Sequence, residues 1–109
     1  MNELQALDAF ASLSQETRLR IVRLLVIAGP DGMPAGAVGE AMGASSSKIS
    51  FHLSHLERAG LIQSRREARS IIYSAVYPAL SGLIAFLMKD CCHGRCDPSV
   101  DTCAQTSEA

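Results

Sequence analysis

Tryptophan is missing from this 109-residue chain, and aromatic residues make up only 5% of it. That poverty argues against a β-sandwich and for helices packed through aliphatic side chains. Cysteine is absent from the first 90 residues, so the four thiols do not form a framework that staples a fold. A long apolar run is lacking too. The best candidate, Ala79 to Met88, is interrupted by Ser81 and Gly82 and falls short of the ~18–20 residues a bilayer span needs. No membrane association is expected. The opening MNELQALDAF has neither the basic start nor the apolar core of a secretory signal, and a cytoplasmic protein is expected. With a formal charge of -1, the chain is not a globally basic nucleic-acid coat. What is present suffices for one packed domain: 48% hydrophobic and 19% charged residues, in a chain too short for two independent cores.

The near-neutral total conceals a segregation. Residues 1–44 carry a net charge of -2, residues 45–70 carry +3 through Lys48, Arg58, Arg65, Arg66 and Arg69 against Glu57 and Glu67, and residues 71–109 carry -2. A basic block inside a mildly acidic protein is a local electrostatic footprint for nucleic acid.

The hydrophobic period builds the rest. Leu4, Leu7 and Ala11 predict a short first helix. Ser14 is the expected N-cap of a second, with Glu16 in its first turn and Ile21, Leu24, Leu25 and Ala28 as its core-facing stripe. Gly29-Pro30-Asp31-Gly32 stops it. Pro34 is placed at the first position of a short helix ending at Met42, and Gly43 is the break before a Ser45-capped helix that runs to about Ala59. Ile49, Leu53 and Leu56 share one face of that helix; Ser47, Ser50, Phe51, Ser54 and Arg58 lie roughly opposite. Small hydroxyls are weak helix formers but allow close approach to a groove. Beyond Gly60 the composition turns to strand: Leu61–Arg66 and Ser70–Val76 form a hairpin around Glu67-Ala68-Arg69. Its three arginines suit a wing against the phosphate backbone. Pro78 opens a last helix with the stripe Leu80, Leu83, Ile84 and Leu87, while Phe86 and Met88 lie outside it. A helix apolar nearly all round implies a partner subunit.

The stretch SSSKISFHLSHLERAGLIQSRREARSIIYS resembles the recognition helix and wing of the ArsR/SmtB family, and LSQETRLRIVRLL resembles that family's second helix. The likeness spans roughly residues 5–88, and its most specific part is Ser50, His52 and Leu53 followed by Leu56, Ala59, Gly60 and Leu61. It implies a mainly α fold with a small β-hairpin, a winged helix-turn-helix of about five helices, and a dimeric repressor that senses metals, metalloids or redox state. The expected partners are double-stranded operator DNA with an inverted repeat and a second copy of the chain, docked through first and last helices. The DNA-binding residues expected are Ser46, Ser47, Lys48, Ser50, Phe51 and Ser54, with Arg65, Arg66 and Arg69 on phosphates or a minor groove. His52 matches the family motif but lies nearer the buried face. Two features depart from the family pattern. The wing has Ala68 where relatives usually turn on glycine, and PAGAVGEAMG carries none of the thiols that form an inducer site there in many arsenic and cadmium sensors. Nor does the last helix show the ligand spacing of the zinc sensors.

The thiols sit instead in KDCCHGRCDPSVDTC, which makes residues 90–109 an expected flexible inducer-binding tail on a 1–89 domain. Four thiols in thirteen residues, with His93 among them as a solvent-exposed neighbour, suit a thiophilic ion. The spacing lacks the paired C-x2-C knuckles of structural zinc. By resemblance to relatives whose arsenic site lies beyond the last helix, Cys91, Cys92, Cys96 and Cys103 are the expected ligands of As(III) or Sb(III) as inducer, with no cofactor required. Two other signals fit the same fold: oxidants or persulfides that form a disulfide, and zinc, cadmium or lead. An enzyme is not expected, since no C-x-x-C sits in a βαβ pattern and no base is paired with a nucleophile.

Overall fold

The computed structural model describes residues 1–90. Its elements are α1 (Glu3–Leu13), α2 (Glu16–Ala28), β1 (Met33–Pro34), α3 (Ala35–Met42), α4 (Ser46–Arg58), β2 (Ile62–Glu67), β3 (Ser70–Ala75) and α5 (Tyr77–Met88). The five expected helices and the wing hairpin are all there. The tail with Cys91, Cys92, Cys96 and Cys103 lies outside the described residues. No helix among the described residues is long and apolar enough to cross a membrane.

Local chemistry sets most boundaries. Asn2 and Gln5 form a capping box at the start of α1. Ser14 does not cap α2 as expected. Its backbone N–H and its hydroxyl both donate to the Ala11 carbonyl, at 3.3 and 2.8 Å, and so finish α1 instead. Gln15 takes the extended backbone of an N-cap, and its side-chain oxygen accepts from the Arg18 N–H at 2.9 Å. Pro34 is likewise one step earlier than expected, as the N-cap of α3 rather than its first residue. Ser45 caps α4 as read from the sequence, accepting from the Lys48 N–H at 3.3 Å. Between α3 and α4, Gly43 takes a left-handed φ of 63°, which glycine adopts without steric cost.

The sheet is antiparallel in the order β1-β3-β2. β2 and β3 pair from Ile62↔Ala75 to Glu67↔Ser70. β1 was not visible in the sequence, being only two residues long; it adds Met33↔Tyr73 and Pro34↔Ile72 to the other edge of β3. Gly32, just before it, combines a φ of 71° with close approach to the Tyr73 carbonyl, and any side chain there would collide with that oxygen.

Ile21 and Leu25 of α2, Val38 of α3, and Ile49, Leu53 and Leu56 of α4 form the core with Leu61, Ile62 and Leu83. The expected stripe of α2 needs a correction: Val22 is buried, Leu24 half-buried and Ala28 exposed. α1 turns Ala6, Ala9 and Ser12 inward, which leaves its periodic leucines outside. The stripe expected on α5 splits. Leu83 is buried, Leu80 and Phe86 pack on the core, and Ile84 and Leu87 point away from it. Leu4, Leu7, Ile84 and Leu87 are 60–69% exposed. α1 packs against α5 and the Met1 side chain lies over Gly82, so these leucines and isoleucine belong to adjoining helices.

Candidate nucleic-acid interface

Burying Ile49, Leu53 and Leu56 fixes the rotation of α4 about its axis and determines what it offers outward. Ser46, Ser47, Lys48, Ser50, Phe51 and Ser54 are all exposed. Phe51 is the one large apolar group on that face, 58% exposed. Its ring stands edge-on to two imidazoles, His52 at 5.2 Å between centroids and His55 at 6.4 Å. Both imidazoles are anchored from below. Arg18 Nη1 of α2 donates to His52 Nδ1 at 3.1 Å, while its Nε donates to the Ser12 carbonyl of α1 at 2.7 Å. The Ser12 hydroxyl, fully buried, shares a hydrogen bond of 2.9 Å with His55 Nδ1.

This makes His52 a bracing residue beneath the surface, 6% exposed. Arginine has no acceptor, so Nδ1 of His52 must accept and Nε2 carries the proton of the neutral ring. Burial lowers its pKa from the ordinary 6.5, and the positive charges of Arg18 and Lys48 and the neighbouring His55 lower it further.

The wing stands beside α4. Glu57 of α4 accepts from the Ser64 hydroxyl of β2 at 2.7 Å. Behind it, burial and the Glu57 charge raise the pKa of Tyr73. At the tip Ala68 has φ of 53°, while Arg69 is not in the positive-φ region. A positive φ at only the first of two central positions is the pattern of a type II′ turn, so the chain takes the strained conformation without the glycine that usually relieves it.

The three wing arginines have different surroundings. Arg65 donates to Glu67 at 2.8 Å, to the Asp31 carbonyl at 2.6 Å and to the Pro30 carbonyl at 3.4 Å. It ties the wing to the loop after α2. Arg66 and Arg69 are exposed and form no side-chain hydrogen bond or ion pair with other described residues. The structure thus exposes the serine face and Phe51 on α4 and two unengaged cations on the adjoining wing, with Arg65 tying that wing to the loop after α2. The roles of Arg18, Ser12 and His55 were not read from the sequence. The one signal was His52, a motif residue on the wrong face for DNA.

No group of three or more His, Cys, Asp or Glu side chains able to hold a metal ion occurs among the described residues. α5 ends before the first thiol: Lys89 has φ of -54° and ψ of 133°, and Asp90 has φ of 60°. The Lys89 ψ and the Asp90 φ both depart from helical geometry.

A helix-turn-helix domain family matches residues 13–65. The HTH-type transcriptional regulator YgaV of Escherichia coli (strain K12) is 35% identical over 88 residues, spanning 81% of this chain and 87% of the relative. An ArsR-like transcriptional regulator from Rhodococcus sp. RHA1 superposes with a TM-score of 0.73 at 25% identity, over 96% of this chain and 92% of that one. A further solved structure, described as a possible transcriptional regulator for arsenical resistance, gives a TM-score of 0.65 at 26% identity, over 94% and 96% of the two chains. These relatives are regulators, not enzymes.

Proposed function

This chain belongs to the ArsR/SmtB-like family of winged-helix transcriptional regulators, and from that premise we propose that it is a repressor released from DNA by a thiophilic inducer. It binds an inverted-repeat operator as a homodimer, and As(III) or Sb(III) held by thiolates among Cys91, Cys92, Cys96 and Cys103 lifts repression. The observation that carries the DNA half is the exposed face of α4, with Ser46, Ser47, Lys48, Ser50, Phe51 and Ser54, together with the exposed Arg66 and Arg69 of the wing. A helix of small hydroxyls enters the major groove, and wing cations neutralise flanking phosphates. The homodimer is supported by Leu4, Leu7, Ile84 and Leu87, apolar groups on two adjoining helices that a monomer leaves in water.

The inducer half is supported by the chemistry of four thiols within thirteen residues. It is supported also by the end of α5. Adjacent helical positions point about 100° apart, so Cys91 and Cys92 do not readily chelate together while helical. The backbone at Lys89 and Asp90 has already left helical geometry. Coupling then runs through α5, since a change at its end alters the separation of the two α4 helices and their match to half-sites about 34 Å apart.

The test is a titration of As(III) into the protein–operator complex, followed by mobility shift. Release is expected for the natural chain and not for a variant with Cys91, Cys92 and Cys96 replaced by serine. Release that persists in that variant overturns the tail site. Release by peroxide but not by As(III) replaces metalloid ligation with disulfide formation.

A further inference from the structure

We infer that Phe51 reads the 5-methyl group of a thymine in the major groove, and so supplies base discrimination that the serines around it cannot. The inference rests on the reading that α4 enters DNA. Phe51 is more than half exposed, yet of its four neighbours on the helix surface at three- and four-residue spacing, Ser47, Lys48 and Ser54 are polar and exposed and His55 is a half-buried imidazole. A lone phenyl among hydroxyls and a cation is not the start of an apolar docking face. A phenyl ring has no donor or acceptor, so it cannot pair with the polar edges of the bases. The apolar group the major groove presents is the thymine methyl. Serine hydroxyls both donate and accept, and serve any base or phosphate.

The ring is also held. An unsupported Phe on a surface helix would exchange rotamers, and contact would cost that freedom. Here His52 and His55 flank the ring edge-on, and each is tied to the domain below, through Arg18 and Ser12 respectively. The exposed ring is therefore pre-positioned, as a readout group should be.

The experiment uses the full chain and a DNA fragment selected by it from a random pool, with the thymines replaced one position at a time by deoxyuridine. Affinities are measured at fixed salt for the natural protein, Phe51→Leu and Phe51→Ala. One thymine in each half-site should lose about fourfold affinity when its methyl is removed, the equivalent of one buried carbon. Phe51→Ala should be indifferent to the same replacement, and Phe51→Leu should keep part of the response. Methyl sensitivity that is absent from the natural protein at every thymine overturns the inference alone, as does sensitivity retained in full by Phe51→Ala. So does a change of Phe51→Ala from dimer to monomer, which would place the ring between subunits. Failure of the natural protein to bind any DNA overturns the operator reading and this inference with it. The deoxyuridine series on the natural protein decides the matter even if a variant fails to fold.

Discussion

Arg18 and His52, 34 residues apart in the chain, meet at 3.1 Å, and their hydrogen bond ties α4 to α2. The bond needs a neutral imidazole. Protonating Nδ1 would set two donors and two positive charges against each other in a buried site. Because the folded state depresses the His52 pKa below 6.5, the unfolded chain binds the proton more readily. The contribution is complete above pH 6.5 and is lost as pH falls below it through the folded-state value. The melting temperature should therefore fall on acidification over that window. In His52→Asn, whose side-chain oxygen accepts from Arg18 without titrating, this part of the slope should flatten. An unchanged slope would remove His52 as its source.

Removing the donor has a different signature. Arg18→Ala leaves the Ser12 carbonyl and His52 Nδ1 without their partner. The expected cost is about 1–3 kcal/mol, or roughly 4–8 °C in melting temperature per kcal/mol for a domain of this size. Loss of DNA affinity should exceed that of an exposed control such as Arg23→Ala, because α4 loses its brace.

Ala68 tests the wing turn in the stabilising direction. Its φ of 53° is a region where a Cβ costs about 1–2 kcal/mol. Ala68→Gly relieves that strain and gives back part of it as unfolded-chain entropy. A net gain of about 0.5–1 kcal/mol is expected by chemical denaturation, and Ala68→Val should lose more than that. A destabilised glycine variant would contradict the turn geometry.

α4 and the hairpin were legible because each is announced twice: Ser45 and Ile49/Leu53/Leu56 by cap and period, the strands by their composition and by the Glu67-Ala68-Arg69 corner between them. α1 was legible as a helix but not as an orientation. Leu4 and Leu7 mark an apolar surface, and period alone does not say whether it meets the core or lies outside it, where Ala6 and Ala9 give the close packing instead. The Arg18–His52 and Ser12–His55 pairs were illegible because nothing local records a contact across 34 or 43 residues. Arg65 read like Arg66 for the same reason: besides the nearby Glu67, its partners are carbonyls 34 and 35 residues away. The thiols were legible only as chemistry, by residue type and crowding.

The wing arginines should separate in a salt titration. Arg66→Ala removes a cation available to phosphate, so affinity should fall on all sequences and the slope of log K against log salt should shrink by about 1 per subunit. Arg65→Ala should weaken binding while leaving the slope nearly intact, because its guanidinium is occupied by Pro30, Asp31 and Glu67. Equal slope changes in the two variants would show Arg65 to be a phosphate contact.

The exposed faces of α1 and α5 carry the remaining prediction. Leu7 and Ile84 are 60% and 64% exposed and contribute little to the core of one subunit. Leu7→Glu and Ile84→Glu should therefore leave the domain folded, with helical circular dichroism and melting close to those of the dissociated natural chain. Each places one carboxylate per subunit in a self-complementary apolar contact, so the two-fold axis puts two buried charges into every dimer. Analytical ultracentrifugation should find monomers at micromolar concentration where the natural chain is a dimer. DNA affinity should fall by about 100-fold or more, since a monomer engages one half-site and loses the linked second contact. A dimer that survives both substitutions would move the subunit contact away from α1 and α5, and with it the route by which a change beyond Lys89 could reach α4.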